Sequence, residues 1–229
     1  RGADFIATGH YVNRIACNVE RKNITRYKLH VACDKNKDQS YFLWTLTQDQ
    51  LKHCLFPIGG YTKPQVRELA KKFNLSTAQK PDSQGICFIG EINIRDFLKN
   101  YISPRRGKVL TTSGKDIGEH EGLYFYTIGQ REGLGIGGGI PYYVAAKDFG
   151  TNTLVVAEGP YDEKLFSQEL KVVDINWISG KEQKFPLRCE ARVRYRQPLQ
   201  HCSVEEITGN QLLVTFGESQ RAVTPGQSV

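Results

Sequence analysis

Twelve of the chain's 22 glycines fall between residues 100 and 160. Glycine loses more conformational freedom on folding than any other residue and breaks helices, so this stretch reads as short strands joined by turns. Helical patterns belong to the part before Pro104. There, Thr62-Lys63-Pro64-Gln65 opens a helix: threonine caps it, proline occupies the first turn, and the glutamine three residues on completes a capping box. Val66, Leu69, Ala70 and Phe73 give that helix one apolar face, and Asn74 ends it. Thr47-Gln48-Asp49-Gln50 opens a shorter helix that Pro57 and Gly59 stop, and a third runs from Asn93 with Phe97, Leu98 and Tyr101 facing inward. Residues 4–11 read as a short buried strand ending in a glycine turn, and residues 11–16 with 27–32 as a hairpin. From Lys171 onward, runs at 172–177, 188–196, 202–207, 212–216 and 221–223 are spaced like the strands of a small antiparallel barrel. The expected architecture is an α/β piece over residues 1–103, a small β-rich domain over 104–160 and an antiparallel β-barrel over 161–229.

Charge follows the same division. Lys plus Arg exceed Asp plus Glu by 31 − 24 = 7, and the first 99 residues hold the whole excess, 16 basic against 9 acidic. Such an excess suits a polyanionic partner, and equally a mildly basic solvated surface. With 39% hydrophobic and 24% charged residues the composition is that of a globular protein, not a disordered or collagen-like chain. No apolar run approaches the ~18 residues of a membrane span, and the first residues carry no signal-peptide pattern. The chain contains no Met and so reads as a fragment or processed piece of a longer one. Its six cysteines are expected as reduced thiols, because a chain of 229 residues buries a core without staples. No CxxC pair occurs, so no metal site is expected.

Several segments carry candidate chemistry. The string Gly133-Leu134-Gly135-Ile136-Gly137-Gly138 matches GxGxxG, but a strand-like Tyr142-Tyr143-Val144 follows it where a dinucleotide site needs a helix. A flexible loop is the better reading. Cys87 follows Asp82-Ser83-Gln84-Gly85, a polar turn leading into the thiol, with the cations Lys80 and Arg95 near in sequence to lower its pKa. A buried structural cysteine is the competing view. Gly9 and His10 follow a strand, at the carboxyl end where parallel sheets bind ligands, although an ordinary turn glycine beside a surface histidine fits as well. Lys37-Asp38-Gln39 is either a helix-capping loop or a set of donors and acceptors for a base edge or phosphate. Strict alternation over residues 188–196 places Arg188, Arg192, Arg194 and Arg196 on one strand face, an exposed edge or an RNA-facing stripe with Tyr195 beside it.

These segments together resemble the tRNA-specific 2-thiouridylases. The matching strings are ATGHY (7–11), NKDQSYFL (36–43), LFPIG (55–59), KPQVR (63–67), DSQGICFIGE (82–91), GEHEGLYFYTIGQREGLGIGG (118–138), RYRQ (194–197) and AVTPGQS (222–228). The resemblance implies an ATP-pyrophosphatase domain, adenine nucleotide alpha hydrolase-like, of which residues 1–103 are the C-terminal part. It implies ATP-dependent 2-thiolation of the wobble uridine of tRNA, by adenylation of O2 and sulfur transfer from a cysteine persulfide. Cys87 is then the persulfide carrier and Gly9 an ATP contact. His10, Lys37, Asp38, Gln39, Arg194, Tyr195 and Gln227 become tRNA contacts. ATP with Mg2+, persulfide sulfur, and a sulfur-relay protein or cysteine desulfurase as donor come with it, as does a cytoplasmic location, or a mitochondrial matrix one in a eukaryote. In that family the SGGxDS pyrophosphate loop and a second cysteine lie upstream of Arg1, and the last strands continue past Val229. The chain then holds half of a two-cysteine site, whose disulfide bond is also implied, and is expected to be inactive alone. The competing class is a non-catalytic RNA-binding β-barrel module of the translation apparatus.

Overall fold

The computed structural model describes residues 2–19, 24–80, 94–137 and 139–229. In chain order the first part contains β1 (Ile6–Ala7), β2 (Val12–Val19), β3 (Ile24–Val31), α1 (Gln48–Lys52), β4 (Cys54–Leu55), α2 (Lys63–Lys72) and α3 (Ile94–Lys99). β1 and β4 form a two-stranded parallel pair, and β2 and β3 the expected hairpin with Val12 opposite Val31. The strand expected to be buried over residues 4–11 is shorter and lies open: Ile6 is 63% exposed and Phe5 54%. α1 begins with the anticipated capping box, in which Gln50 Oε1 accepts from the Thr47 amide at 2.9 Å. It ends at Lys52, before Pro57, because Cys54 and Leu55 leave the helix to pair with β1. α2 matches its sequence signature at both ends. The Gln65 carboxamide accepts from the Thr62 amide at 2.8 Å. Asn74 takes φ 52°, and the Leu75 and Asn74 amides donate to the carbonyls of Ala70 and Lys71. In the region of α3, Tyr101 is 75% exposed and does not face inward.

The central sheet contains β5 (Gly107–Thr111), β6 (Asp116–His120), β7 (Tyr142–Asp148) and β8 (Thr153–Glu158) in the order β6-β5-β8-β7. Only β5 and β8 run parallel. Val109, Val144, Leu154 and Val156 from three of these strands pack with Leu123, Tyr126 and Leu134 from the intervening loop, so the glycine-rich segment contributes to a core. The last sheet contains β9 (Phe166–Val172), β10 (Leu187–Ala191), β11 (Gln200–Thr208) and β12 (Gln211–Arg221), antiparallel in the order β10-β11-β12-β9. Its core is Val193, Cys202, Val204, Leu212, Val214 and Phe216. Residues 173–177, expected as strand, are loop: Ile175 and Trp177 pack on this core from outside the ladder.

The first and last parts touch through polar ties. Asn176 Nδ2 donates to the carbonyl of Trp44 at 2.6 Å and of Leu46 at 3.2 Å. The Gln48 carboxamide accepts from the Tyr27 amide at 2.8 Å and donates to the carbonyls of Tyr27 and Ile178. The Arg26 guanidinium donates to the Ser179 carbonyl. Each tie satisfies a backbone group that the local elements leave unpaired, which makes the junction specific as well as adhesive.

Candidate functional site

The loop after β3 is held by two aspartates. Asp34 Oδ2 accepts from the Lys63 amide at 2.9 Å, at the amino end of α2, and Oδ1 accepts from the Asn36 amide at 3.1 Å. The Lys63 bond, with those from Asn36 and Lys37, holds the Asp34 carboxyl below the usual range. Asp38 is buried; its carboxylate accepts from the Ala32 amide at 2.7 Å and from Ser40 Oγ at 2.6 Å. Both oxygens of Asp38 thus serve the loop itself. Gln39 exchanges bonds with Tyr11: its amide donates to the Tyr11 carbonyl at 2.9 Å, and its Oε1 accepts from the Tyr11 amide at 3.1 Å. Gln39 therefore lies beside His10, whose Nδ1 is 2.9 Å from Thr8 Oγ1. Gly9, between them, is exposed, and a Cβ built there meets nothing within 4 Å. The backbone at the carboxyl end of β1 is therefore open to solvent at Gly9.

The carboxyl-terminal part reaches the same loop. Tyr41 and Phe42 stand in a 3-10 turn (Ser40–Leu43), and Tyr195 packs on them with ring centroids at 6.1 and 4.7 Å. Arg196 lies over Tyr195 at 5.0 Å, and its Nη2 donates to the Asn36 carbonyl at 2.8 Å. Tyr41 Oη donates to the Ser228 carbonyl at 2.7 Å, next to the exposed Gln227, and burial pushes its hydroxyl pKa up. Four distant segments, at His10, residues 37–39, Tyr195 and Gln227, are thereby joined through a chain of contacts. Tyr11 joins the first two, and Tyr41, Phe42 and Arg196 join the others. The latter three all lie inside strings the sequence singled out, but neither aromatic residues beside a polar triplet nor an arginine in an alternating run gives a sign of what it packs against.

The arginine stripe does not form. β10 stops at Ala191, residues 193–196 turn, and Arg196 takes φ 65°. The alternation ends where the chain leaves the ladder, so Arg192, Arg194 and Arg196 have no common strand face. Arg194 points into protein: Nη2 lies 2.6 Å from the Ala222 carbonyl, 3.2 Å from that of Ile128 and 3.3 Å from Thr224 Oγ1. It clamps the loop after β6 to the end of β12. The described part of the GxGxxG string, residues 133–137, is loop. Gly133, Gly135 and Gly139 have φ between 69° and 78°, and the chain runs on into β7.

Cys87 and its neighbours 81–93 lie outside the described residues. The cysteines that are described, Cys17, Cys33, Cys54, Cys189 and Cys202, are free thiols, so no disulfide occurs among them. Among the described residues no helix is long and apolar enough to cross a membrane.

Family comparisons divide the chain as the sheets do. The model of a tRNA methyl transferase HUP domain matches residues 1–91, that of a tRNA methyl transferase PRC-barrel domain residues 95–158, and that of an aminomethyltransferase β-barrel domain residues 167–229. The tRNA-specific 2-thiouridylase MnmA of Buchnera aphidicola subsp. Acyrthosiphon pisum is 48% identical over 232 residues, covering 99% of this chain and 61% of the relative. The protein of that name from Francisella tularensis subsp. tularensis is 45% identical over 234 residues, covering 100% of this chain and 64% of the relative. The chain spans about three fifths of the length of the curated relatives it matches. With three consecutive domain models and this identity along its whole length, the chain belongs to the tRNA-specific 2-thiouridylase family.

Proposed function

We propose that the complete protein carries out ATP-dependent 2-thiolation of the wobble uridine of tRNA. The observation that carries this reading is the near-half identity to 2-thiouridylases over the entire chain. A carbonyl oxygen is a poor leaving group; ATP, bound with Mg2+, supplies the adenylyl group that lets it depart as AMP. Gly9, whose backbone is open, is the ATP contact in this reading. Cys87 takes sulfur as a persulfide from a sulfur-relay protein or cysteine desulfurase. Its outer sulfur bonds to C2 as AMP leaves, and the S–S bond to Cys87 then breaks as the second cysteine that the resemblance implies closes a disulfide with Cys87. This favours thiols that ionise readily. The basic excess of residues 1–99 supplies the attraction for a polyanion.

His10, Gln39, Tyr195 and Gln227 form the tRNA-facing set, with Lys37 on the same loop. Asp38 serves it by shaping that loop, since its carboxylate is buried and doubly bonded. Arg194 serves it by holding the turn that presents Tyr195. These 229 residues alone are proposed to be inactive in thiolation, and the protein to work in the cytoplasm or the mitochondrial matrix. The test is Cys87→Ser in the complete protein, with 2-thiouridine in tRNA quantified by nucleoside mass spectrometry and tRNA affinity measured in parallel. Loss of 2-thiouridine with affinity retained is expected. Near-normal thiolation by the variant would sink the reading.

A further inference from the structure

Cys189 in β10 and Cys202 in β11 face each other directly across the antiparallel ladder. Their Sγ atoms are 3.6 Å apart, and Cys202 Sγ also donates to the Cys189 carbonyl at 3.6 Å. Directly opposed residues of an antiparallel pair have Cα atoms about 4.5–5.5 Å apart, inside the range that a disulfide spans. Bonding distance is ~2.05 Å, so about 1.5 Å of sulfur travel closes the gap, within reach of small side-chain rotations. The two thiols are not equivalent. Cys202 is buried in the sheet core, and burial, followed by its contact with Cys189, pushes its pKa up to about 12. Cys189 is half-buried and, with Cys202, lines a surface groove of about 630 Å³ that also contains Arg188, Glu190, His201 and Ser203. Metal ligation is the other chemistry open to paired thiols, and here it lacks ligands. Among the described residues no third metal-ligating side chain joins the pair. Glu190 and His201, next along the two strands and on the same groove, meet each other at 3.8 Å.

We propose that Cys189 and Cys202 are a thiol-modification site for low-molecular-mass disulfides of the glutathione type, closing to a cross-strand disulfide between β10 and β11. Cys189 Sγ attacks one sulfur of the small disulfide, whose S–S bond breaks. One small thiol departs with the Cys189 proton, leaving a mixed disulfide on Cys189. Cys202 Sγ then attacks Cys189 Sγ, and the second small thiol departs with the Cys202 proton. Two cysteine thiols are oxidised, one small disulfide is reduced to two thiols, and nothing else is consumed. The closed bond would fix β10 two residues before it ends at Ala191, immediately upstream of the turn that carries Arg194, Tyr195 and Arg196.

The experiment treats the reduced complete protein with oxidised glutathione, blocks remaining thiols with an alkylating agent and maps tryptic peptides without reduction. Trypsin cuts between the two cysteines at Arg192, Arg194 and Arg196, so the product leaves as two peptides joined by one bond. The expected result is a joined pair containing Cys189 and Cys202 that dithiothreitol separates. Cys202→Ser should instead accumulate the glutathione adduct on Cys189. Alkylated Cys189 and Cys202 after treatment of the wild type, a lasting adduct on Cys189 without closure, or joining of Cys189 to another cysteine would each overturn the proposal. The wild-type map decides this even if the serine variant fails to fold.

Discussion

Arg194 Nη2 donates to the carbonyl oxygen of Ala222 at 2.6 Å, with the Ile128 carbonyl and Thr224 Oγ1 within 3.3 Å of the same nitrogen. One guanidinium therefore joins the loop after β6 to the residues that follow β12. Arg194→Ala removes these charge-assisted bonds and strands two carbonyls at a half-buried junction, at about 2–3 kcal/mol. For a chain of this size that lowers the melting temperature by roughly 5–10 °C. A free surface arginine would leave the melting temperature nearly unchanged and its loss would flatten the salt dependence of tRNA binding. The clamp predicts the reverse: a clear drop in thermal stability with the slope of log affinity against log salt preserved. Calorimetry and binding at several salt concentrations measure both.

Gly129 sits under the same clamp with φ 83°, and a Cβ there would lie 2.6 Å from the Ala222 Cβ. Ala222 is itself buried and cannot recede. Gly129→Ala should destabilise by about 1–3 kcal/mol through overpacking and backbone strain combined. A stability within a few tenths of a kcal/mol of wild type, read by urea unfolding, would show that the loop relaxes away from β12.

Tyr195 separates packing from recognition. Tyr195→Phe keeps the ring contacts with Tyr41 and Phe42 and should leave thermal stability close to wild type. Tyr195→Ala loses them and should destabilise by about 2–4 kcal/mol. If the hydroxyl or the ring face meets tRNA, the alanine variant also loses tRNA affinity beyond what its folded fraction explains. Equal stability of the two variants would contradict the packing described.

Asp34 gives a pH signature. Its carboxyl is depressed in the folded state, chiefly by the Lys63 amide, so its contribution to stability is present above the unfolded carboxylate value of about 4. That contribution is lost as pH falls through the lower folded value. Asp34→Asn should therefore melt below wild type at neutral pH, and the difference should shrink as the medium is acidified below about pH 4. A difference that stays constant to low pH would place the effect elsewhere than in the ionised carboxylate.

The sequence by itself determined the local elements and the family. Capping residues around Thr47 and Thr62, the left-handed Asn74 and the alternating hairpin runs act over a few residues, and such short-range chemistry reads directly from order. The matching strings identified the family for the same reason, since they are local patterns. The tertiary structure decided where strands stop and what the polar side chains do. The run over residues 188–196 alternates perfectly in sequence, yet the ladder ends at Ala191 because β11 begins only at Gln200 and the intervening residues must turn back to reach it. Arg194 and Asp38 looked like surface donors and acceptors. Their partners, Ala222 and Ile128 for one and Ala32 for the other, are backbone groups. Every residue carries the same backbone groups, so the sequence holds no mark of which carbonyl or amide a side chain will meet. The meeting of Tyr195 with Phe42 likewise joins turns far apart in the chain, and only folding brings those rings within 4.7 Å.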